Sequence, residues 1–167
     1  YKPSIWFVGA EPYPLPMCVE NDFLPDLSAI PSNEKKKATA FYLNYPNNPT
    51  GAVATPEFLN DLVAFAKEYS IAICYDNPYS EVVFGVNRLS FLNAPGAKEV
   101  GVELNSLSKP YNMTGWRIGM ACGNPDIVRA IATSKANTDS GVFNAVQYAG
   151  IEALDTCDDF IGEMLAL

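Results

Sequence analysis

The chain of 167 residues contains no histidine. Ser-His-Asp and Cys-His nucleophilic catalysis, and most zinc chemistry, are therefore excluded within it. Positive charge is scarce as well: 11 Lys and Arg stand against 19 Asp and Glu, a net charge of −8. A nucleic-acid surface needs clustered cations. The one basic run, Lys35-Lys36-Lys37, follows a Pro/Ser/Asn segment and reads as a solvated loop or helix end. No apolar run approaches the ~20 residues that span a bilayer, and no basic start leads into an apolar signal-type core. Cys18, Cys74, Cys122 and Cys157 show no paired spacing, and three lie in or beside apolar runs. Buried free thiols of a reducing, cytoplasmic compartment are the expectation. Neither an internal repeat nor a low-complexity segment is visible, and no metal site is expected.

What is present is a core-forming chain, 49% hydrophobic, in which strand-like and helix-like segments alternate. Ala40 to Asn44 is a short apolar run that ends in the dense turn signal Tyr45-Pro46-Asn47-Asn48-Pro49-Thr50-Gly51. A helix then starts with Thr55 as N-cap, Pro56 at its first position and Glu57 in its first turn. Leu59, Leu62, Val63, Ala66 and Tyr69 form its apolar face. Further strands are predicted at Ile71 to Tyr75, Val100 to Leu104 and Ile118 to Cys122. Asn124-Pro125-Asp126 opens another helix to about Ala136, and one more covers about Phe143 to Leu154. The Pro-rich first forty residues offer one candidate strand, Leu15 to Val19. This order predicts an α/β domain with a mainly parallel sheet covered by helices on both faces.

In such sheets ligands bind beyond the carboxyl ends of the strands, and the chain's distinctive polar residues fall there. Asn48 follows the first of these strands; Asp76 and Tyr79 follow the second; Ser106-Leu107-Ser108-Lys109 follows the third. Arg117 lies eight residues beyond the lysine, in Gly115-Trp116-Arg117-Ile118-Gly119. A lysine amine beside hydroxyls and a guanidinium is what a covalently held phosphorylated aldehyde requires. Singly, each residue has a bland reading: a surface lysine, a capping Asp, a turn Asn, a packed Tyr.

Together, Asn47-Asn48-Pro49-Thr50-Gly51, Tyr75-Asp76-Asn77-Pro78-Tyr79, Ser106-Leu107-Ser108-Lys109 and Gly115-Trp116-Arg117-Ile118-Gly119 resemble the motifs of class I/II aminotransferases. These are fold-type I enzymes using pyridoxal 5′-phosphate (PLP). The resemblance implies a three-layer large domain and a role for each residue. Lys109 would form the Schiff base with the cofactor and shuttle the substrate α-proton. A free lysine titrates at about 10.4, so positive neighbours and desolvation would have to make its neutral amine accessible. Asp76 would pair with the pyridine nitrogen, and Tyr79 with Asn48 would bond the phenolic oxygen. Ser106, Ser108 and Arg117 would bind the phosphate. Asn144 would line the partner subunit's site in a homodimer, with a helix-entry role as the alternative.

Within the family, Phe91 to Lys98 and Lys109-Pro110-Tyr111-Asn112-Met113-Thr114 look most like the LL-diaminopimelate aminotransferase group, although Pro110 stands where members usually have Thr. The implied substrates are an amino acid and a 2-oxo acid, with LL-diaminopimelate and 2-oxoglutarate as one pair. A PLP-dependent lyase or synthase on the same fold, or a non-catalytic aminotransferase-like sensing domain of a regulator, remains open, because these motifs fix the cofactor and not the reaction. Against the family, residues 1–167 would be the central part of the large PLP-binding domain. The N-terminal strands and the C-terminal small domain, with its carboxylate-binding arginine, would lie outside it. The isolated chain is then expected not to transaminate, and to expose apolar surface.

Overall fold

The computed structural model describes residues 1–167, and its local starts and stops follow side-chain chemistry. Four strands form one sheet: β1 (Ala40–Asn44), β2 (Ala72–Asp76), β3 (Gly101–Ser106) and β4 (Gly119–Gly123), in the order β1-β2-β3-β4. The first three are parallel and β4 runs antiparallel to β3, so the sheet is mainly parallel, as expected. The seven helices are α1 (Lys2–Phe7), α2 (Ser32–Lys37), α3 (Pro56–Tyr69), α4 (Ala97–Val100), α5 (Pro125–Thr138), α6 (Asn144–Thr156) and α7 (Asp158–Ala166).

The caps form where the sequence places them. Thr55 Oγ1 accepts from Phe58 N at 3.1 Å at the start of α3, and Asn124 Oδ1 accepts from Asp126 N and Ile127 N at the start of α5. Both satisfy backbone donors that a helix start leaves free. Helix α3 lays Leu59, Leu62, Val63 and Ala66 on Leu43, Ile73 and Tyr75, and with Phe91, Ala94 and Ala97 these make the main core.

One strand expectation is corrected. Residues 10–18 form neither helix nor strand, and Val19–Asn21 is a single 3₁₀ turn, so no strand runs from Leu15 to Val19. Pro12, Pro14 and Pro16 lack the N–H groups a ladder needs, and β1 pairs only with β2, at the sheet edge. The sheet is also unequally covered. The face opposite α3 leaves Tyr42 43% exposed, and α5 buries none of its own residues. That face carries Tyr42 and Cys74 in one register row and Asn44 and Asp76 in the next. Its lower cover is why the polar strand ends stay accessible.

Candidate active site

Because side chains alternate across a strand, Asn44, Asp76 and Ser106 emerge on one face at the carboxyl end of the sheet, above paired β1, β2 and β3. Asn44 ties the first two strand ends together. Its Nδ2 donates to the Asp76 carbonyl at 2.9 Å, and its Oδ1 accepts from Asn48 N at 2.9 Å. The following turn is fixed by Asn47, whose Oδ1 accepts from Thr50 N and Oγ1. Asn48 is thereby aimed across the strand gap, and its Nδ2 donates to the Tyr79 hydroxyl at 3.2 Å. The two residues expected to bond the same oxygen are thus brought within hydrogen-bond distance of each other.

Lys109 joins the group from the third strand. Its Nζ stands 5.9 Å from the centroid of the Tyr79 ring, within the range of a cation–π contact. The turn that carries it is anchored by Leu107, 3% exposed, which clusters with Met113 and with Ala153 of α6. Ser106 Oγ accepts from Ser108 N at 3.1 Å, so the two hydroxyl residues share one tight turn. Arg117 sits at φ +52°, and its guanidinium donates to the Thr114 carbonyl at 2.9 Å. Thr114 Oγ1 in turn donates to the Ser108 carbonyl at 3.0 Å. This relay holds Arg117 over the serine turn. Thr114 was not among the residues singled out from the sequence; only its place two residues before Trp116 in the motif hinted at it. Gly119 allows a close backbone approach, since a Cβ there would lie 2.5 Å from the Asn105 carbonyl, whereas Gly115 has open space around it.

Asn144 stands apart. It is the first residue of α6 and its Oδ1 accepts from Gln147 Nε2 on the same helix at 3.4 Å, with no bond to the other candidates. The helix-entry alternative fits only loosely, since Phe143 holds the N-cap position and makes no side-chain cap.

Asp76, Lys109 and Arg117 take part in none of the four ion pairs of the chain, which join Lys67–Glu99, Arg88–Glu81, Arg129–Asp126 and Lys135–Asp139. Asp76 Oδ2 instead accepts a 2.6 Å hydrogen bond from the Tyr1 hydroxyl. The Tyr1 ring stacks on Tyr42 with centroids 5.3 Å apart. Burial and the neighbouring Asp76 carboxylate push the Tyr1 phenol well above its usual range. A flat ring presenting a protonated edge to Asp76 is what the N–H edge of a pyridinium would also be. The position therefore fits a pyridoxal ring.

The sequence profile described as aminotransferase class I and II matches residues 1–166. The chain belongs to this family. It is 52% identical over 165 residues to the LL-diaminopimelate aminotransferase of Moorella thermoacetica, covering 98% of this chain and 42% of that protein. Against the LL-diaminopimelate aminotransferase of Halothermothrix orenii it is 51% identical over 168 residues, covering 100% of this chain and 43% of the relative. Among solved structures, apo-BacF from Bacillus subtilis superposes with a TM-score of 0.96 at 39% identity, over 99% of this chain and 42% of that one. This aminotransferase chain thus spans about two fifths of the length of the relatives it matches, and the α/β architecture is that of the fold-type I enzymes. The family is PLP-dependent.

Proposed function

We propose that the protein carrying this chain is a PLP-dependent aminotransferase, and that these residues form its cofactor anchor. The observation that carries the reading is the convergence of Lys109 Nζ, the Asn48–Tyr79 pair and Asp76 at adjacent strand ends. When bound, PLP supplies an electron sink for the bond broken at the substrate α-carbon. Lys109 Nζ is the amine that holds the cofactor aldehyde, and once free it takes up and returns the α-proton. Asp76 keeps a proton on the ring nitrogen by accepting its hydrogen bond. Asn48 Nδ2 and the Tyr79 hydroxyl orient the ring by donating to its phenolic oxygen. Arg117 binds the phosphate with a planar fork, and the Ser106 and Ser108 hydroxyls donate to it without adding charge.

An amino acid and a 2-oxo acid are the substrates on this reading, and LL-diaminopimelate with 2-oxoglutarate is the favoured pair. Support comes from the named activity of the two bacterial relatives, each at least 51% identical. We take the working form to be a cytoplasmic homodimer. The apolar face that α6 leaves open, with Tyr148 72% and Ile151 52% exposed, supports burial against another surface there. Asn144 begins that helix and is the residue we assign to the partner's site.

The test is to express the complete protein with PLP, look for the lysine-dependent visible absorbance, and assay LL-diaminopimelate and glutamate with a panel of 2-oxo acids. Absorbance and amino transfer are expected, both lost in Lys109→Ala. A Lys109→Ala protein that kept both would overturn the assignment.

A further inference from the structure

Glu103 is a carboxylate between Val102 and Leu104 in β3, 4% exposed and without a cation near enough to pair with it. Four donors saturate it. Oε1 accepts from Asn77 Nδ2 and Asn105 Nδ2, each at 3.1 Å. Oε2 accepts from Ser90 Oγ at 2.7 Å and Phe91 N at 2.6 Å. A buried ionised group is costly unless its hydrogen bonds are complete, and here they are drawn from three separate stretches of chain.

Those stretches are the ones that carry the proposed anchor. Asn77 directly follows Asp76; Ser90 and Phe91 close the segment that begins with Tyr79; Asn105 directly precedes Ser106. Glu103 pairs in register with Tyr75, one residue away from Asp76 along β2, and so lies on the opposite face of the sheet. It cannot reach the ring side itself. Asn77 makes the connection: its backbone N donates to Leu104 O at 2.8 Å, and its Nδ2 is shared between Glu103 and the Leu89 carbonyl. Asn77 is 1% exposed and its Oδ1 has no partner. The amide keeps this orientation because turning it over would set its oxygen against the carboxylate. Glu103 thus dictates how Asn77 lies, at the expense of one unpaired acceptor.

We propose that Glu103 is a positioning residue of the cofactor site. Acting through Asn77, it fixes the direction from which Asp76 meets the ring nitrogen. This rests on the PLP reading above. Glutamine has nearly the same shape but offers a single acceptor oxygen, and its amide would point donors at donors, so Glu103→Gln separates the charge and acceptor pattern from packing.

The complete protein is compared with its Glu103→Gln, Asn77→Ala and Thr55→Ala variants. Thr55→Ala removes a helix cap remote from this network and calibrates a general loss of stability. Two quantities are read: the PLP dissociation constant of the apoprotein, and amide hydrogen exchange of residues 76–79 without cofactor. Glu103→Gln and Asn77→Ala are each expected to weaken PLP binding roughly tenfold, the scale on which groups that orient a ligand-binding residue act, and to speed exchange at 76–79. Thr55→Ala should lower the melting temperature and do neither. Should Glu103→Gln not fold, Asn77→Ala carries the same comparison. Unchanged PLP affinity in the folded variants, or equal weakening by Thr55→Ala, overturns the proposal. If even the wild type lacks the lysine-dependent absorbance while exchange at 76–79 still rises in the variants, the PLP reading fails and the Glu103–Asn77 link stands.

Discussion

The two halves of the site are built from different materials. On the β1–β2 side, Asn48, Asp76 and Tyr79 are held by a lattice of amide and carboxylate hydrogen bonds through Asn44, Asn47, Asn77 and Glu103. On the β3–β4 side, three hydrogen bonds link Ser106, Ser108, Thr114 and Arg117 locally, but the lysine turn as a whole is seated by apolar contacts of Leu107, Met113, Ile118 and Ala153. Hydrogen bonds are directional, so the first half fixes angles. Apolar packing is non-directional, so the second fixes where the turn sits and leaves the long Lys109 side chain free to swing. A group that only accepts a hydrogen bond gains from the first arrangement. On the proposed function, Lys109 must release and recapture a cofactor, and such a group gains from the second.

The contrast can be broken most severely at Leu107. Leu107→Ala should cost about 2–5 kcal/mol, the range for deleting a buried leucine, measured by denaturant unfolding. If the Asn48–Tyr79 side lost hydrogen-exchange protection as much as the lysine turn, the halves would be one unit. Next, Asp76→Asn in the complete protein should lower kcat by ~100-fold, as for removal of a preorganised electrostatic group, while melting temperature barely moves. A large stability loss there would mean that Asp76 is structural. Arg117→Lys should weaken PLP binding roughly tenfold, because a point charge replaces a bidentate fork; equilibrium titration of the apoprotein reads this.

The smallest effect concerns Tyr45, whose hydroxyl donates to the Phe23 carbonyl at 2.6 Å beneath the Asn48 turn. Burial pushes this phenol from 10.0 up to about 12. The unfolded chain therefore deprotonates first, so the stabilisation is complete below pH 10 and is lost as pH rises through about 12. Tyr45→Phe should flatten that part of the melting-temperature profile. A profile with the same slope would show that Tyr45 is not its source.

Much of this was legible in sequence because it is local. Thr55 and Asn124 cap their helices through bonds spanning two or three residues, and strand ends are marked by Asn48, Asp76 and Ser106 beside turn residues. Glu103 was readable only as a charge out of place in an apolar run, since its partners lie at 77, 90 and 91 as well as at the nearby 105. Thr114 acquires its role by donating to the Ser108 carbonyl and accepting from the Arg117 guanidinium on its own carbonyl, groups that only the turn brings together. The strand expected at Leu15 to Val19 failed because an apolar pattern says nothing about whether a neighbour exists to pair with it. The sequence pattern also says nothing of how deeply a helix is covered: α5 is amphipathic, yet none of its residues is fully buried in this chain.

The antiparallel course of β4 has a consequence for the order of assembly. Because β4 returns directly alongside β3, Ser106 pairs with Gly119 across a short loop, and Arg117 reaches Thr114 only three residues away. Asn48 must find Tyr79 across 31 residues and an intervening helix. Closing a short loop forfeits less chain entropy than closing a long one, and local contacts form faster. The Ser106–Gly119 hairpin should therefore be native-like in the folding transition state, with the Asn48–Tyr79 pair arriving afterwards.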